Sequence, residues 1–494
     1  MKAPFLLLAA LVLTLLGLAS AQSPIRPETV EVSHPRELRG VWVASVGNMH
    51  FPSRPGLTPE EGKAELQHLV ERISECRLNT IFFQVRPEGD ALYASELEPW
   101  SRYLTGTQGE EPEYDPLATL IPLAHQRGIE VHAWLNPYRA SAKPAQESRF
   151  VAPHLGVTSP QNVKPYGSFV WMEPTSPEVR NRLVAVCRDL ATRYDLDGIH
   201  FDDYFYPYPE NGLDFPDNQE WQAYLRQGGQ LSRGDWRRAQ VNLAVAEVSQ
   251  AVHQVKPYLR FGISPFGLPA PERPEGVSGF DQYHKLYADP QTWSDRGYVD
   301  YLAPQLYWPT SKKEQALQPL LNWWTDHAVD GRYTFPGLNL NGLGTKPDWT
   351  LTEYETELRL VRGRAEQGAR GAIWWSAAPL LENRQGVVEQ FRKFYPTAAI
   401  APPLFRYRQQ NVAPPRAFLS KDGVRLEHRD PAPLKGWAVY VFRRDWELHR
   451  FVPADRPLDL APGSYAVSAV TRYGNESRAQ LVEVPHVPRT RSES

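Results

Sequence analysis

Between Arg39 and Ala377, short runs of apolar, β-branched and aromatic residues alternate with longer stretches in which apolar side chains recur every three to four positions. Parallel strands joined by crossover helices produce this texture. Eight strand-like runs occur: Gly40–Ser45, Thr80–Arg86, Glu130–Asn136, Gly198–Tyr204, Arg260–Pro265, Tyr301–Tyr307, Tyr333–Leu338 and Ala372–Ser376. Helical periodicity fills Pro59–Cys76, Pro116–Arg127, Pro177–Tyr194, Trp236–Val255, Lys312–His327, Leu351–Glu366 and Arg384–Phe394, with Phe280–Arg296 as the fifth crossover. Several helices open on Thr-Pro, Asp-Pro or Ser-Pro, a polar cap followed by proline at the first helical position. Eight such units within residues 37–396 predict an α/β fold, a (β/α)8 TIM barrel with enlarged loops. A doubly wound open sheet would want a Gly-rich turn after its first strand, and Ser45-Val46-Gly47-Asn48-Met49 is not one.

After Tyr395-Pro396 the pattern changes. Ala401-Pro402-Pro403 reads as a stiff linker, and beyond it strand-like runs such as Trp437–Arg443, Ser464–Tyr473 and Ala479–Val484 are separated by polar turns. Residues 402–485 therefore predict a small β-sandwich resembling a fibronectin type III module. At the other end, residues 1–21 carry one Lys, the apolar run Phe5 to Leu13 and then Ala19-Ser20-Ala21, the pattern of a cleavable signal peptide. Export is expected, to a secreted or periplasmic location. No later segment is apolar for the ~18 residues a membrane span needs, so no stable membrane insertion is expected after cleavage.

Composition narrows the function classes. The 57 acidic and 54 basic residues leave a formal charge of −3, which disfavours nucleic acid as a partner. Tryptophan (15) and tyrosine (23) lift the aromatic share to 12%, supplying many flat surfaces. The two cysteines, Cys76 and Cys187, sit within helical patterns and read as buried thiols rather than a disulfide. No HExxH or Cys-rich ligand spacing, phosphate-binding Gly loop or Gly-x-Ser-x-Gly turn occurs, so no metal or other cofactor is expected.

A barrel of this kind carries its functional groups at the carboxyl ends of its strands, and side-chain alternation says which positions face inward. Phe82, Gln84 and Arg86 share one face, as do His132, Trp134 and Asn136, then His200, Asp202 and Tyr204, then Ala303, Gln305 and Tyr307. The opposite faces, among them Ile81, Phe83, Val85, Val131, Ala133 and Leu135, suit packing against outer helices. The strongest local signal is Asp197-Gly198-Ile199-His200-Phe201-Asp202-Asp203-Tyr204-Phe205-Tyr206-Pro207. It joins adjacent carboxylates to aromatic rings, a pairing suited to sugars, because glycosidic cleavage needs one carboxyl group to protonate the leaving oxygen and a second group to stabilise or attack the anomeric centre. Asp202 is the first catalytic candidate. Asp203 points outward on a regular strand and reaches the cleft only from a turn, whereas Glu88 and Asp90, just beyond Arg86, could supply another carboxylate or serve the loop itself. Aromatic residues recur at strand ends as candidate subsites: Trp42, Trp134, Tyr138, Tyr307, Trp308, Trp374 and Trp375.

These residues resemble the glycosyl hydrolase-like family 10, also met as the domain of unknown function 187, over roughly Glu37 to Phe394. The carriers are Arg39-Gly40-Val41-Trp42, Gln84-Val85-Arg86-Pro87 with Gly89-Asp90-Ala91-Leu92-Tyr93, Ala133–Arg139, Asp197–Pro207, Ile263–Gly267 and Asp300–Trp308. The resemblance implies an exported glycosidase-like barrel; the best-known bacterial relatives cut peptidoglycan glycan strands stripped of their stem peptides. The fourth strand is also similar to the chitinase pattern Asp-Gly-x-Asp-x-Asp-x-Glu. Asp197, Gly198 and Asp202 match it, but His200 and Tyr204 stand where that pattern has further carboxylates, the proton donor included.

The expectation is therefore an exported glycoside hydrolase acting on a polysaccharide, N-acetylated bacterial glycan. Asp202, with Asp203 or Glu88, would be catalytic; Arg86, Asp90, Trp134, Asn136, Tyr138, Arg139, Tyr204, Gln305, Tyr307, Trp308 and Trp374 would bind substrate, and His200 would support Asp202. The rival from another class is a glycan-binding cell-wall protein that keeps the barrel without turnover.

Overall fold

The structure is a computed structural model that describes residues 23–25, 28–210, 212–270, 273–329, 332–420 and 423–485. The segment expected to be a signal peptide lies outside them. Eight parallel strands follow one another: β1 (Leu38–Val43), β2 (Thr80–Arg86), β3 (Glu130–Leu135), β4 (Gly198–Phe201), β5 (Arg260–Ile263), β6 (Tyr301–Leu302), β7 (Tyr333–Thr334 and Gly337–Asn339) and β8 (Gly371–Trp375). Each is followed by its helix: α1 (Pro59–Glu75), α2 (Pro116–His125), α3 (Pro177–Arg193), α4 (Arg233–Val255), α5 (Pro290–Asp295), α6 (Leu317–Asp326), α7 (Leu351–Gly363) and α8 (Val387–Phe394).

Strand β7 closes the ring. Its first half pairs with β6 and its second with β8, while β8 pairs with β1. Pro336, which has no N–H to give, sits at the break between the halves, and Gly337 N–H donates across to the Pro304 carbonyl at 2.8 Å. The (β/α)8 barrel is thus the observed fold. Helix starts follow the sequence signals: Thr58 and Glu61 form a capping box on α1, and Asp115 and Ser176 cap α2 and α3 before Pro116 and Pro177. Among the described residues, the fifth crossover holds two short helices, Gln282–Lys285 and α5.

Alternation sorts the core into two parts. Ile81, Phe83, Val85, Val131, Ala133, Leu135, Ile199 and Phe201 pack outward against the helices. Trp42, Phe82, Trp134, Tyr301, Ala303, Phe335 and Ile373 fill the lumen. Glycines make room for the large rings there: a Cβ at Gly198 would lie 2.5 Å from His132 and one at Gly262 would lie 2.1 Å from Tyr301. Cys76 and Cys187 are buried free thiols.

The carboxyl-terminal part contains β9 (Arg416–Ser420), β10 (Gly423–Glu427), β11 (Leu434–Phe442), β12 (Trp446–Pro453), β13 (Gly463–Thr471) and β14 (Ala479–Val484) in two antiparallel sheets. Both sheets gain a strand from the other end of the chain: Ser23–Pro24 pairs with β9 and Thr29–Val30 with β14. The sandwich is therefore completed by residues before the barrel, which the 402–485 boundary left out. Two-residue strands carry too little pattern to be recognised in sequence.

The sandwich sits under the barrel, at the amino ends of its strands. Lys435 on β11 is within 2.5 Å of Glu130 and 2.9 Å of Asp197, which begin or precede β3 and β4. Arg472 meets Asp195 at 2.7 Å, and Arg406 meets Asp300 at 2.5 Å. Asp197, the first residue of the sequence's strongest motif, belongs to this junction rather than to the cleft. Burial works against its charge, but Lys435 and then His125 hold its carboxyl well below the usual range.

Candidate active site

At the opposite, carboxyl end of the strands, Trp42, Trp134, Asp202, Asp203, Tyr204, Ser264, Gln305, Tyr307 and Trp375 line a cleft of about 180 Å³. Strand β4 stops at Phe201, earlier than the apolar run suggested, and the chain turns at once. That turn brings Asp203 into the cleft beside Asp202, which a regular strand would have prevented.

The two carboxylates are held differently. Asp202 is 4% exposed. It accepts from the Trp134 indole N–H at 3.1 Å, and from Asn136 Nδ2 at 3.1 and 3.2 Å to its two oxygens. Asn136 in turn accepts the Arg139 backbone N–H at 2.7 Å, tying the loop after β3 to the carboxylate. Asp203 accepts from the Tyr208 hydroxyl and from Gln305 Nε2, the latter at 2.9 Å. Burial is the largest influence on both and raises both; Asp202 is pushed to about 7, with the Asp203 charge adding to the rise and Arg139 opposing it. The hydrogen bonds from Tyr208 and Gln305 oppose the rise at Asp203, while Asp202, at about 7, is placed to give and take a proton near neutral pH.

Aromatic rings wall this pair. The Trp42 ring lies 6.3 Å from Trp375 and 6.4 Å from Tyr307, and Trp134 lies 6.1 Å from Trp375. Arg139 stacks over Tyr204 at 5.4 Å, its Nε donating to the Pro87 carbonyl. Trp375→Ala removes one wall of the cleft without touching either carboxylate. It is expected to raise KM roughly tenfold with a smaller change in kcat, read from initial rates on soluble oligosaccharide; an unchanged KM would remove Trp375 from the substrate's path.

Several candidates lie elsewhere. Between Gln84 and Arg86 the register of β2 shifts by one residue, so Arg86 pairs with Leu135 and takes the outward parity. Its guanidinium is spent on Glu98, at 2.5 and 2.7 Å, and on the Asn136 and Pro137 carbonyls. Glu88 is clamped by Arg102 at 2.9 Å, the Tyr103 hydroxyl at 2.7 Å and the Ala142 N–H at 2.7 Å. Although burial opposes it, Arg102 keeps that carboxyl below its ordinary value, so Glu88 is a poor proton donor as well as a distant one. Asp90 is buried under the same loop, accepting the Glu88 N–H at 2.9 Å.

Tyr138 is 1% exposed and belongs to the outer core. His200 faces inward but one layer too deep: it accepts from the Trp42 indole at 3.2 Å and pairs with the Tyr301 hydroxyl at 3.0 Å. It supports Trp42, not Asp202. Trp374 pairs with Val41 on the outward parity and donates to the Tyr395 hydroxyl, so its neighbour Trp375 is the cleft residue. Trp308 packs on Phe266 at 5.6 Å, beside the cleft rather than among the residues lining it. Ser264 was missed; its signal was its place immediately after β5, inside the Ile263–Gly267 motif.

The family model described as glycosyl hydrolase-like 10 matches residues 37–339, well over half of the chain. The chain belongs to this family. It is a glycoside hydrolase, and the match covers the barrel from β1 through β7. Glycosyl hydrolase YngK of Bacillus subtilis is 35% identical over 399 residues, 78% of this chain and 77% of its own. Glycosyl hydrolase DigH of Escherichia coli K12 is 32% identical over 365 residues, 67% of this chain and 80% of its own. Among solved structures, the glycoside hydrolase domain of PgaB (BpsB) from Bordetella bronchiseptica aligns at 14% identity with a TM-score of 0.48, covering 73% of this chain and 99% of that one.

Proposed function

We propose that this enzyme is exported and cleaves N-acetylated bacterial glycan, peptidoglycan strands without stem peptides, with Asp202 as proton donor and Asp203 as the carboxylate that stabilises positive charge at the anomeric centre. The observation that carries the reading is the pair of buried carboxylates at the barrel mouth, the one pushed to about 7 and the other held by Tyr208 and Gln305 inside an aromatic wall. With an N-acetyl sugar in the cleft, Asp203 could orient the acetamide oxygen that attacks the anomeric carbon, a substrate-assisted route that needs only one acid. Asp202 would give its proton to the departing oxygen and later recover one from water. Arg139, felt by both carboxylates, keeps the second charge from becoming too costly. Export rests on the leader-like residues 1–21.

The decisive assay incubates purified enzyme with peptide-free glycan strands, intact peptidoglycan, chito-oligosaccharides and α-glucan, with products read by mass and new reducing ends counted. New muramic-acid-containing fragments from the peptide-free strands are expected. Binding without any new reducing end would leave a carbohydrate-binding protein instead. The acid must be protonated to work, so kcat/KM is expected to hold below pH 7 and to fall as pH rises through about 7. A profile flat from pH 6 to 9 would exclude Asp202 as the donor.

A further inference from the structure

A cavity more spacious than the catalytic cleft lies elsewhere in the molecule. A groove of about 770 Å³ runs between the barrel's base and the sandwich, and a second of about 360 Å³ continues it, sharing Gln126, Gly128, Phe451, Pro453 and Arg456. Its barrel wall is Arg77–Asn79 and Gln126–Gly128, which precede β2 and β3, so the groove lies on the face opposite the carboxylate pair.

Charge in the larger groove runs against the chain's. Arg77, Arg127, Arg443, Arg450 and Arg456 line it against two carboxylates, Glu447 and Asp459, whereas the whole protein carries −3. These arginines are exposed and lightly engaged. Arg127 meets Glu71 at 3.2 Å and Arg443 meets Glu447 at 3.5 Å, both in solvent, while Arg77 and Arg450 donate to backbone carbonyls. The Arg456 side chain has no partner among the described residues. Exposed ion pairs of this kind exchange partners at little cost, leaving guanidinium forks free for anions.

We propose that this groove is a second glycan-binding site, which holds an acidic polysaccharide by pairing its carboxylates with the arginines that line it. Resting on the substrate reading above, the occupant is a distal stretch of peptide-free glycan strand, where each disaccharide exposes one lactyl carboxylate. The sandwich then builds a binding surface jointly with the barrel, on the side away from catalysis.

The test uses the full chain carrying Asp202→Asn, so that strands stay uncut, with and without Arg443→Ser, Arg450→Ser and Arg456→Ser together. All three side chains are exposed, and an unchanged melting temperature verifies the fold. Calorimetric titration with long peptide-free strands should show affinity weakened roughly tenfold by the triple change, with a flatter salt dependence, while neutral chito-oligosaccharides bind both forms alike. Equal affinity of the two forms for the strands would overturn the proposal, as would an equal loss on neutral oligosaccharide. Single-stranded DNA that displaces the strands at matched charge would also overturn it, by reducing the groove to a general polyanion surface. Wild-type enzyme that fails to cut the strands, yet binds them through the arginines, would cost the hydrolytic reading and leave this one standing.

Discussion

Asp202→Asn is expected to lower kcat for glycan cleavage about 10³-fold, with KM changed little, because it removes the proton that the leaving oxygen needs. Asparagine keeps the size of the side chain, so the disturbance is confined to the hydrogen bonds that the carboxylate accepts from Trp134, Asn136 and the Tyr204 backbone N–H. Asp203→Asn removes the negative charge instead. The two losses can be told apart with an aryl glycoside whose phenolate leaves without protonation. On that substrate Asp202→Asn should recover most of its activity and Asp203→Asn should not. The pH profiles should differ as well. Residual activity of Asp202→Asn has no acid left to titrate near 7, while Asp203→Asn relieves the neighbouring charge that helps raise Asp202, so its descending limb moves to lower pH. An Asp202→Asn enzyme within a few-fold of wild type on natural strands would transfer the donor role to another group.

Much of the barrel was readable because its signal is strict. Parallel strands buried on both faces place inward and outward residues alternately, and the lumen residues Phe82, Trp134 and Ala303 follow from parity alone. The same strictness explains the misplacements, since one residue of slippage moves a side chain to the other face. A bulge in β2 carried Arg86 outward and Glu88 with its loop away from the mouth. On β8 the choice fell between adjacent tryptophans, and only the pairing with β1 and β7 shows that Trp375 faces the cleft. Parity says nothing of depth, which is why His200 faces inward yet serves Trp42 from a layer below the carboxylates. Asp203 was open in the sequence because its position depends on where β4 ends, and chain reversal after Phe201 is set by tertiary packing rather than by local pattern.

The second large effect concerns stability and sits at the junction. Lys435→Met should cost about 3 kcal/mol, because it leaves Glu130 and Asp197, 9% and 5% exposed at their side chains, without the cation that offsets their burial. The low end of the usual range applies since His125, at 2.9 Å from Asp197, and Arg260, at 3.7 Å from Glu130, remain. The pH dependence gives the sign. Burial alone would raise Glu130, but Lys435 and Arg260 hold it down to about 2 in the folded protein against 4.5 when free. A carboxylate depressed on folding contributes stability above its unfolded value and loses it as pH falls toward the folded one. The melting-temperature gap between wild type and Lys435→Met should therefore be widest near pH 7 and narrow below pH 4. Adding Glu130→Gln to the variant should restore part of the loss at pH 7, since the change removes one of the two stranded charges. A gap independent of pH, with no rescue, would mean that Lys435 contributes by packing its aliphatic stem and that the sandwich is held to the barrel by its apolar contacts and the outer pairs of Arg472 with Asp195 and Arg406 with Asp300.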